Sequence, residues 1–131
     1  MKILIVEDDF VSRKLVCEIL RSHGKIDTAV NGQEAIDAVR MALEENQPYD
    51  LICLDIMMPV VDGHQALQAI REMERKRGLN EKTGVRILMV TALDSPKDVF
   101  KSYKTGASDY LSKPIMPQTL LAKIRNMGLI A

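Results

Sequence analysis

Apolar positions along this chain alternate between two rhythms. Short unbroken runs, bounded by polar and turn residues, read as strands buried on both faces. Between them, apolar residues recur at three- and four-residue spacing, which reads as helix. Residues 2–6 are the first β-branched run, closed by Glu7-Asp8-Asp9. Val11, Leu15, Val16, Ile19 and Leu20 then form a helical stripe over residues 10–22, with Asp9 as its cap and Gly24 as its stop. Residues 25–30 are a second short strand. Asn31 and Glu34 mark a capping box, and Ala35, Ile36, Val39 and Leu43 give the second helix its buried side before Pro48. Residues 50–54 form the third strand. Asp62 caps the next helix, with Gln65 in the reciprocal position and Ala66, Leu67, Ile70 and Met73 on its apolar face. The polar, glycine-punctuated stretch 74–84 reads as a helix end plus a long solvated loop. Residues 85–90 are the fourth strand, ending in Thr91. Ser95-Pro96 starts a helix whose apolar side is Val99, Phe100 and Tyr103, and Gly106 ends it. Residues 108–111 are a fifth short strand, and Pro117 opens a last helix carrying Leu120, Leu121 and Ile124.

Five strands alternating with five helices predict an α/β fold, a parallel sheet with helices on both faces. Right-handed crossovers leave few topologies. The flavodoxin-like three-layer (βα)5 arrangement, strand order 2-1-3-4-5, is the expected one, with a switch point between strands 1 and 3.

Composition narrows the function classes. The 131 residues suit one domain, expected over 1–131. Eighteen basic residues balance eighteen acidic ones, so no basic excess points to direct nucleic-acid binding. No apolar run is long enough for a membrane span, and residues 1–6 are too short and too quickly followed by acids for a signal peptide. Cys17 and Cys53 sit in apolar periodic segments and read as buried free thiols, which suits a reducing cytoplasm. His23 and His64 read as surface residues, and the eight methionines as core filling.

The chemistry gathers at one rim. Strands 1, 3, 4 and 5 end in Glu7/Asp8, Asp55, Thr91 and Lys113. In a parallel sheet these ends share an edge, the edge where ligands bind. Three carboxylates together are unfavourable unless a cation or a proton joins them. A hard divalent ion such as Mg²⁺ takes oxygen ligands of this kind. Asp55 is then placed as a nucleophile toward phosphorus, giving an acyl phosphate, while the metal and Lys113 offset charge on the phosphoryl oxygens. Thr91 supplies a hydroxyl hydrogen bond.

Ile-Leu-Ile-Val-Glu-Asp-Asp at 3–9, Asp55-Ile56-Met57-Met58-Pro59 with Asp62-Gly63, Thr91-Ala92 and Lys113-Pro114 together resemble a bacterial two-component response-regulator receiver domain of the CheY-like type, over residues 2–127. The resemblance implies a phosphorelay signalling switch, not an enzyme beyond Mg²⁺-dependent self-phosphorylation and self-dephosphorylation. It implies that Asp55 is the phosphoacceptor and that a histidine kinase or histidine phosphotransfer protein is the donor. It implies metal ligation by Asp8 directly, Glu7 through water, Asp55, and the Met57 carbonyl. It further implies that Thr91 and Lys113 hold the phosphoryl group and that Lys113-Pro114 is cis. Tyr110 matches the switch aromatic, whose ring leaves the surface of helix 4, strand 5 and helix 5 as Thr91 moves inward, changing what that surface binds. Exposed Lys101 and Lys104 flank that surface. The chain departs from a minimal receiver in its extended 74–84 segment. With no output domain after residue 131, it is expected to be a stand-alone receiver or an excised one. The competing reading is an aspartyl-phosphate phosphatase or phosphotransferase of haloacid-dehalogenase type, against which Met57 occupies the place of that family's second aspartate.

Overall fold

The computed structural model describes residues 1–131. Its elements alternate without exception: β1 (Lys2–Val6), α1 (Phe10–Leu20), β2 (Lys25–Ala29), α2 (Gly32–Glu44), β3 (Leu51–Leu54), α3 (Gly63–Lys76), β4 (Arg86–Thr91), α4 (Pro96–Thr105), β5 (Asp109–Ser112) and α5 (Pro117–Asn126). All strand pairs are parallel and the order is β2-β1-β3-β4-β5, as the alternation predicts.

The sheet is buried on both faces because β1, β3 and β4 carry apolar residues at successive positions. Alternation divides those residues between two cores. Leu4, Val6, Ile52, Leu54, Ile87, Met89 and Tyr110 pack with α2 and α3. Ile3, Ile5, Leu51, Cys53, Leu88, Val90 and Leu111 pack with α1 and α5. The helix starts follow the sequence signals. Asp9, Asn31, Asp62 and Ser95 accept backbone N–H bonds from Ser12, Glu34, Gln65 and Asp98. Asp62 and Gln65 complete a reciprocal box. Glu34 reaches one residue further back than expected, accepting from the Val30 N–H.

Three sequence expectations are corrected. First, the α1 stripe is only half buried. Val16 and Leu20 are enclosed, whereas Val11 and Leu15 face solvent together with Phe10, since one side of an eleven-residue helix suffices to cover β1 and β3. Second, α4 does not bury Phe100 and Tyr103. Its enclosed residue is Ser102, whose hydroxyl donates to the Asp98 carbonyl within the helix, and Val99 packs only partly. The Tyr103 hydroxyl instead donates to Asp109. Third, the 74–84 stretch is not a uniformly solvated face. Helix α3 ends within it at Lys76 and a loop follows, as expected, but Glu74 is buried in an ion pair with Arg71 at 2.6 Å. Glu74 Oε2 also accepts the Val85 N–H, and Arg71 donates to the carbonyls of Val85 and Gly106. These bonds satisfy the turn before β4 and the turn before β5 from one side chain pair. The rest of the connection lies at the rim opposite Asp55, as expected.

Candidate functional site

The parallel ladder sets the site. Val6 and Leu54 are partners in β1 and β3, so Glu7 and Asp55 leave the sheet side by side, and the Asp55 N–H donates to the Val6 carbonyl. Thr91 and Ser112 are partners in β4 and β5, so Lys113 leaves the sheet one residue past Thr91. Gly63 is required here by close approach: a Cβ on it would strike the Asp55 carbonyl and the Ile56 backbone. The loop from Asp55 to α3 is thereby folded tightly back on the Asp55–Ile56 backbone.

Asp55 is buried, with Oδ1 accepting the Met57 N–H at 3.2 Å and Oδ2 accepting Lys113 Nζ at 3.1 Å. Lys113 Nζ also donates to Glu7 Oε2 at 3.0 Å. Asp8 is exposed beside them, and oxygens of Glu7, Asp8 and Asp55 lie within 4.8 Å of one another. Three hard oxygen donors at this spacing, one open to solvent, fit a divalent cation that keeps much of its water. The Lys113–Pro114 peptide is cis. Thr91 is fully buried, and its Oγ1 accepts the Leu93 N–H, which leaves its own proton available to an incoming oxygen.

The electrostatics register crowding. Burial first, then the hydrogen bond and negative charge of Asp55, push the Glu7 carboxyl up to about 7, with Lys113 opposing. Burial alone would lower the Lys113 ammonium, but its bonds to Glu7 and Asp55 outweigh this and raise it. Glu7 therefore binds more protons in the folded chain than in the unfolded one between its ordinary value and about 7. The stabilisation is present below that window and is lost as pH rises through it. We expect the urea midpoint of the metal-free protein to fall from pH 5 to pH 8 and the fall to flatten in Glu7→Gln. A midpoint independent of pH in the wild-type chain would contradict this.

Two sequence expectations about single residues change. His64 is 8 % exposed, not a surface residue, because the first turn of α3 is tucked beneath α4. Tyr110 is already 7 % exposed and packs with the α2–α3 core, so in this structure its ring does not lie on the α4–β5–α5 surface. Alternation on β5 turns that position inward, onto the face opposite Leu111. Burial pushes its hydroxyl, which has no partner, up to about 12.

Arg13 was not legible as part of the site. Its guanidinium donates to the Glu7 carbonyl at 2.8 Å and pins the acidic loop from behind. A basic residue in α1 carries no sequence signal for that role. Val60, in left-handed backbone with φ 69° and 88 % exposed, stands in the Asp55–α3 loop. A β-branched residue there is strained, and no sequence rule announces it.

The fold and the polar rim define a class of phosphorylation-dependent switches, and comparison with known proteins agrees. Residues 3–125 match the response regulator receiver domain family. The chain is 37% identical over 129 residues to hybrid signal transduction histidine kinase B of Dictyostelium discoideum, covering 94% of this chain and 6% of that protein. It is 33% identical over 126 residues to the probable transcriptional regulator ycf29 of Porphyra purpurea, covering 95% of this chain and 55% of that protein. The chain thus spans from a small fraction to about half of these relatives' lengths. Among solved structures, the receiver domain of Ssk1, crystallised with the histidine phosphotransfer protein Ypd1 of Saccharomyces cerevisiae, superposes with TM-score 0.84 at 32% identity, covering 98% of this chain and 88% of that one. The CheX-CheY-BeF3-Mg²⁺ complex of Borrelia burgdorferi gives TM-score 0.85 at 27% identity, covering 98% of this chain and 89% of that one. This chain belongs to the response regulator receiver domain family. It is a receiver domain of the kind that serves as a phosphorylation-dependent switch in two-component systems. No helix is long and apolar enough to cross a membrane.

Proposed function

We propose that this receiver takes a phosphoryl group onto Asp55 from the phosphohistidine of a histidine kinase or a histidine phosphotransfer protein, with Mg²⁺ as the cofactor, in the cytoplasm. The observation that carries this reading is one buried carboxylate, Asp55, held between a lysine ammonium and two further acids at 3.1 Å and within 4.8 Å respectively. An Asp55 oxygen forms the new O–P bond as the P–N bond to the donor imidazole breaks, and the departing electron pair stays on the imidazole nitrogen. Asp8, Asp55 and the Met57 carbonyl would hold the metal, with Glu7 acting through water. When bound, the metal neutralises charge on the phosphoryl oxygens. The Met57 N–H fixes the Asp55 rotamer. Lys113 turns from the carboxylate to the new anion, and Thr91 donates its hydroxyl proton to a phosphoryl oxygen. Small-molecule phosphoryl donors support slow self-phosphorylation by the same route, and water attacking phosphorus from the same side breaks the Asp55 O–P bond, releasing inorganic phosphate and restoring the carboxylate.

Phosphorylation adds about −1.5 to −2 charges. Thr91 and Lys113 follow that charge, and the exchange is read at α4, β5 and α5, with the Tyr110 ring already turned inward before it. Lys101 and Lys104 are exposed on α4 and favour an acidic protein partner. The Ypd1 complex of a relative supports the donor class, and the reducing location fits the free thiols Cys17 and Cys53. Incubation with acetyl phosphate and Mg²⁺, followed by intact-mass spectrometry and peptide mapping, tests the acceptor. We expect one hydroxylamine-labile phosphoryl group on the peptide containing Asp55, absent when Mg²⁺ is chelated. A label on histidine or serine, or one formed equally well without metal, would reject the reading.

A further inference from the structure

Helix α4 has fewer buried residues than any other helix of the fold. Of residues 96–105 only Ser102 is buried, and its hydroxyl is spent within α4 itself. The C-terminal end is fixed. Arg71 Nε donates to the Gly106 carbonyl at 2.9 Å, and Gly106 takes the left-handed conformation that ends the helix. The other end has no such bond to the body. Where α3 and α4 meet lies His64, enclosed, with neither ring nitrogen given a hydrogen-bond partner. An imidazole enclosed in this way is tolerated when neutral and is costly when charged. The charges that act on it are Lys101 and Asp98 from α4 and Asp62 from the cap of its own helix. Burial has the largest influence and disfavours the cation, Lys101 adds to this, and Asp62 and Asp98 offset only part of it.

We propose that His64 is a proton-operated latch for α4: protonation of its imidazole releases the N-terminal half of α4 from α3, while the Arg71–Gly106 contact keeps the C-terminal end as a pivot. An exposed imidazole in the released state has the ordinary proton affinity, with a pKa of about 6.5. The docked state holds the proton less well, so docking is fully expressed above that value and is lost as pH falls through and below it. The latch acts on the helix that borders Tyr110, so acidification and phosphorylation converge on one element. Lys101 and Asp98 both ride on α4, and release also removes them from the histidine.

The test is hydrogen exchange of the α4 amides from pH 7.5 to pH 5, corrected for intrinsic rates, together with NMR titration of the two imidazoles in the whole chain. We expect α4 to lose protection selectively on acidification while α5 does not. The fold-change in opening should approach the ratio of the proton dissociation constants of His64 in docked and released states. His64→Leu keeps the enclosed volume apolar and cannot titrate, so α4 protection in that variant should be independent of pH. It also retains Glu7, which titrates in the same range, and so separates the two groups. Flat α4 protection in the wild-type chain would overturn the proposal, as would the same pH dependence in His64→Leu. Should His64→Leu not fold, the wild-type data decide: the proposal fails if the α4 loss does not track the His64 titration curve.

Discussion

Arg71→Ala is expected to destabilise the protein by roughly 3–5 kcal/mol, the usual cost of removing one partner of a buried ion pair. Arg71 and Glu74 are 2% and 3% exposed at their side chains, so nothing but protein can answer the charge left behind. Truncation strands the Glu74 carboxylate with one remaining donor, the Val85 N–H. It also strips the Val85 and Gly106 carbonyls of the guanidinium that satisfies them. Each unpaired buried group adds about 1–3 kcal/mol before relaxation. Relaxation must be partial, because the three elements concerned, α3, β4 and the turn into β5, cannot all close on the missing side chain. Urea unfolding at pH 7 measures the loss. The paired replacement Arg71→Met with Glu74→Leu should recover only the part owed to the stranded charge, because two apolar residues leave no charge unanswered but also leave the Val85 N–H and the Val85 and Gly106 carbonyls without side-chain partners. Equal midpoints for Arg71→Ala and the wild type would mean that the cluster is hydrated and contributes little.

This cluster also shows where sequence reading succeeds and where it stops. The strand runs and helix caps are legible because each rests on local chemistry: β-branched runs, Asx and Ser caps, proline at the first helical position. The rim residues are legible because a parallel sheet must bring strand ends together, whatever the side chains do next. The Arg71–Glu74 pair follows Leu67 and Ile70 at helical spacing on the buried face, and that spacing was the available signal. Charge concealed it, since a mixed-charge stretch is solvated far more often than it is buried. Phe100 and Tyr103 failed in the opposite direction: their apolar character predicts burial, yet α4 meets the body through a serine and part of a valine. Sequence spacing defines which residues share a helix face but not how closely that helix approaches the sheet. His64 is buried for the same reason, since its enclosure is made by α4, more than thirty residues later. Alternation along β5 puts Tyr110 and Leu111 on opposite faces of the sheet. Whether the Tyr110 ring lies inside or at the surface is set by its packing with residues distant in sequence, which no local pattern encodes.

Asp55→Asn is expected to abolish the phosphoryl adduct entirely while leaving the fold intact. The amide is nearly isosteric with the carboxylate, but its oxygen carries no full negative charge and is a poor nucleophile toward phosphorus. The hydrogen bonds rearrange in a definite way. Asp55 accepts from both the Met57 N–H and Lys113, one at each oxygen. An asparagine has a single acceptor oxygen, which can keep the Met57 N–H, while its NH₂ turns toward the neighbouring acids. Lys113 retains Glu7, its other acceptor. Of the three influences that push Glu7 upward, the hydrogen bond and the charge of Asp55 then disappear and burial alone remains. Glu7 should therefore ionise at lower pH in the variant, and the decline of stability between pH 5 and pH 8 should shrink. Two independent readouts follow from one substitution. Intact-mass spectrometry with acetyl phosphate and Mg²⁺ reports the acceptor, and urea midpoints across pH report the electrostatic coupling. An undiminished adduct would move the acceptor to Asp8 or Asp9. An unchanged pH profile would show that burial, not Asp55, holds the proton on Glu7.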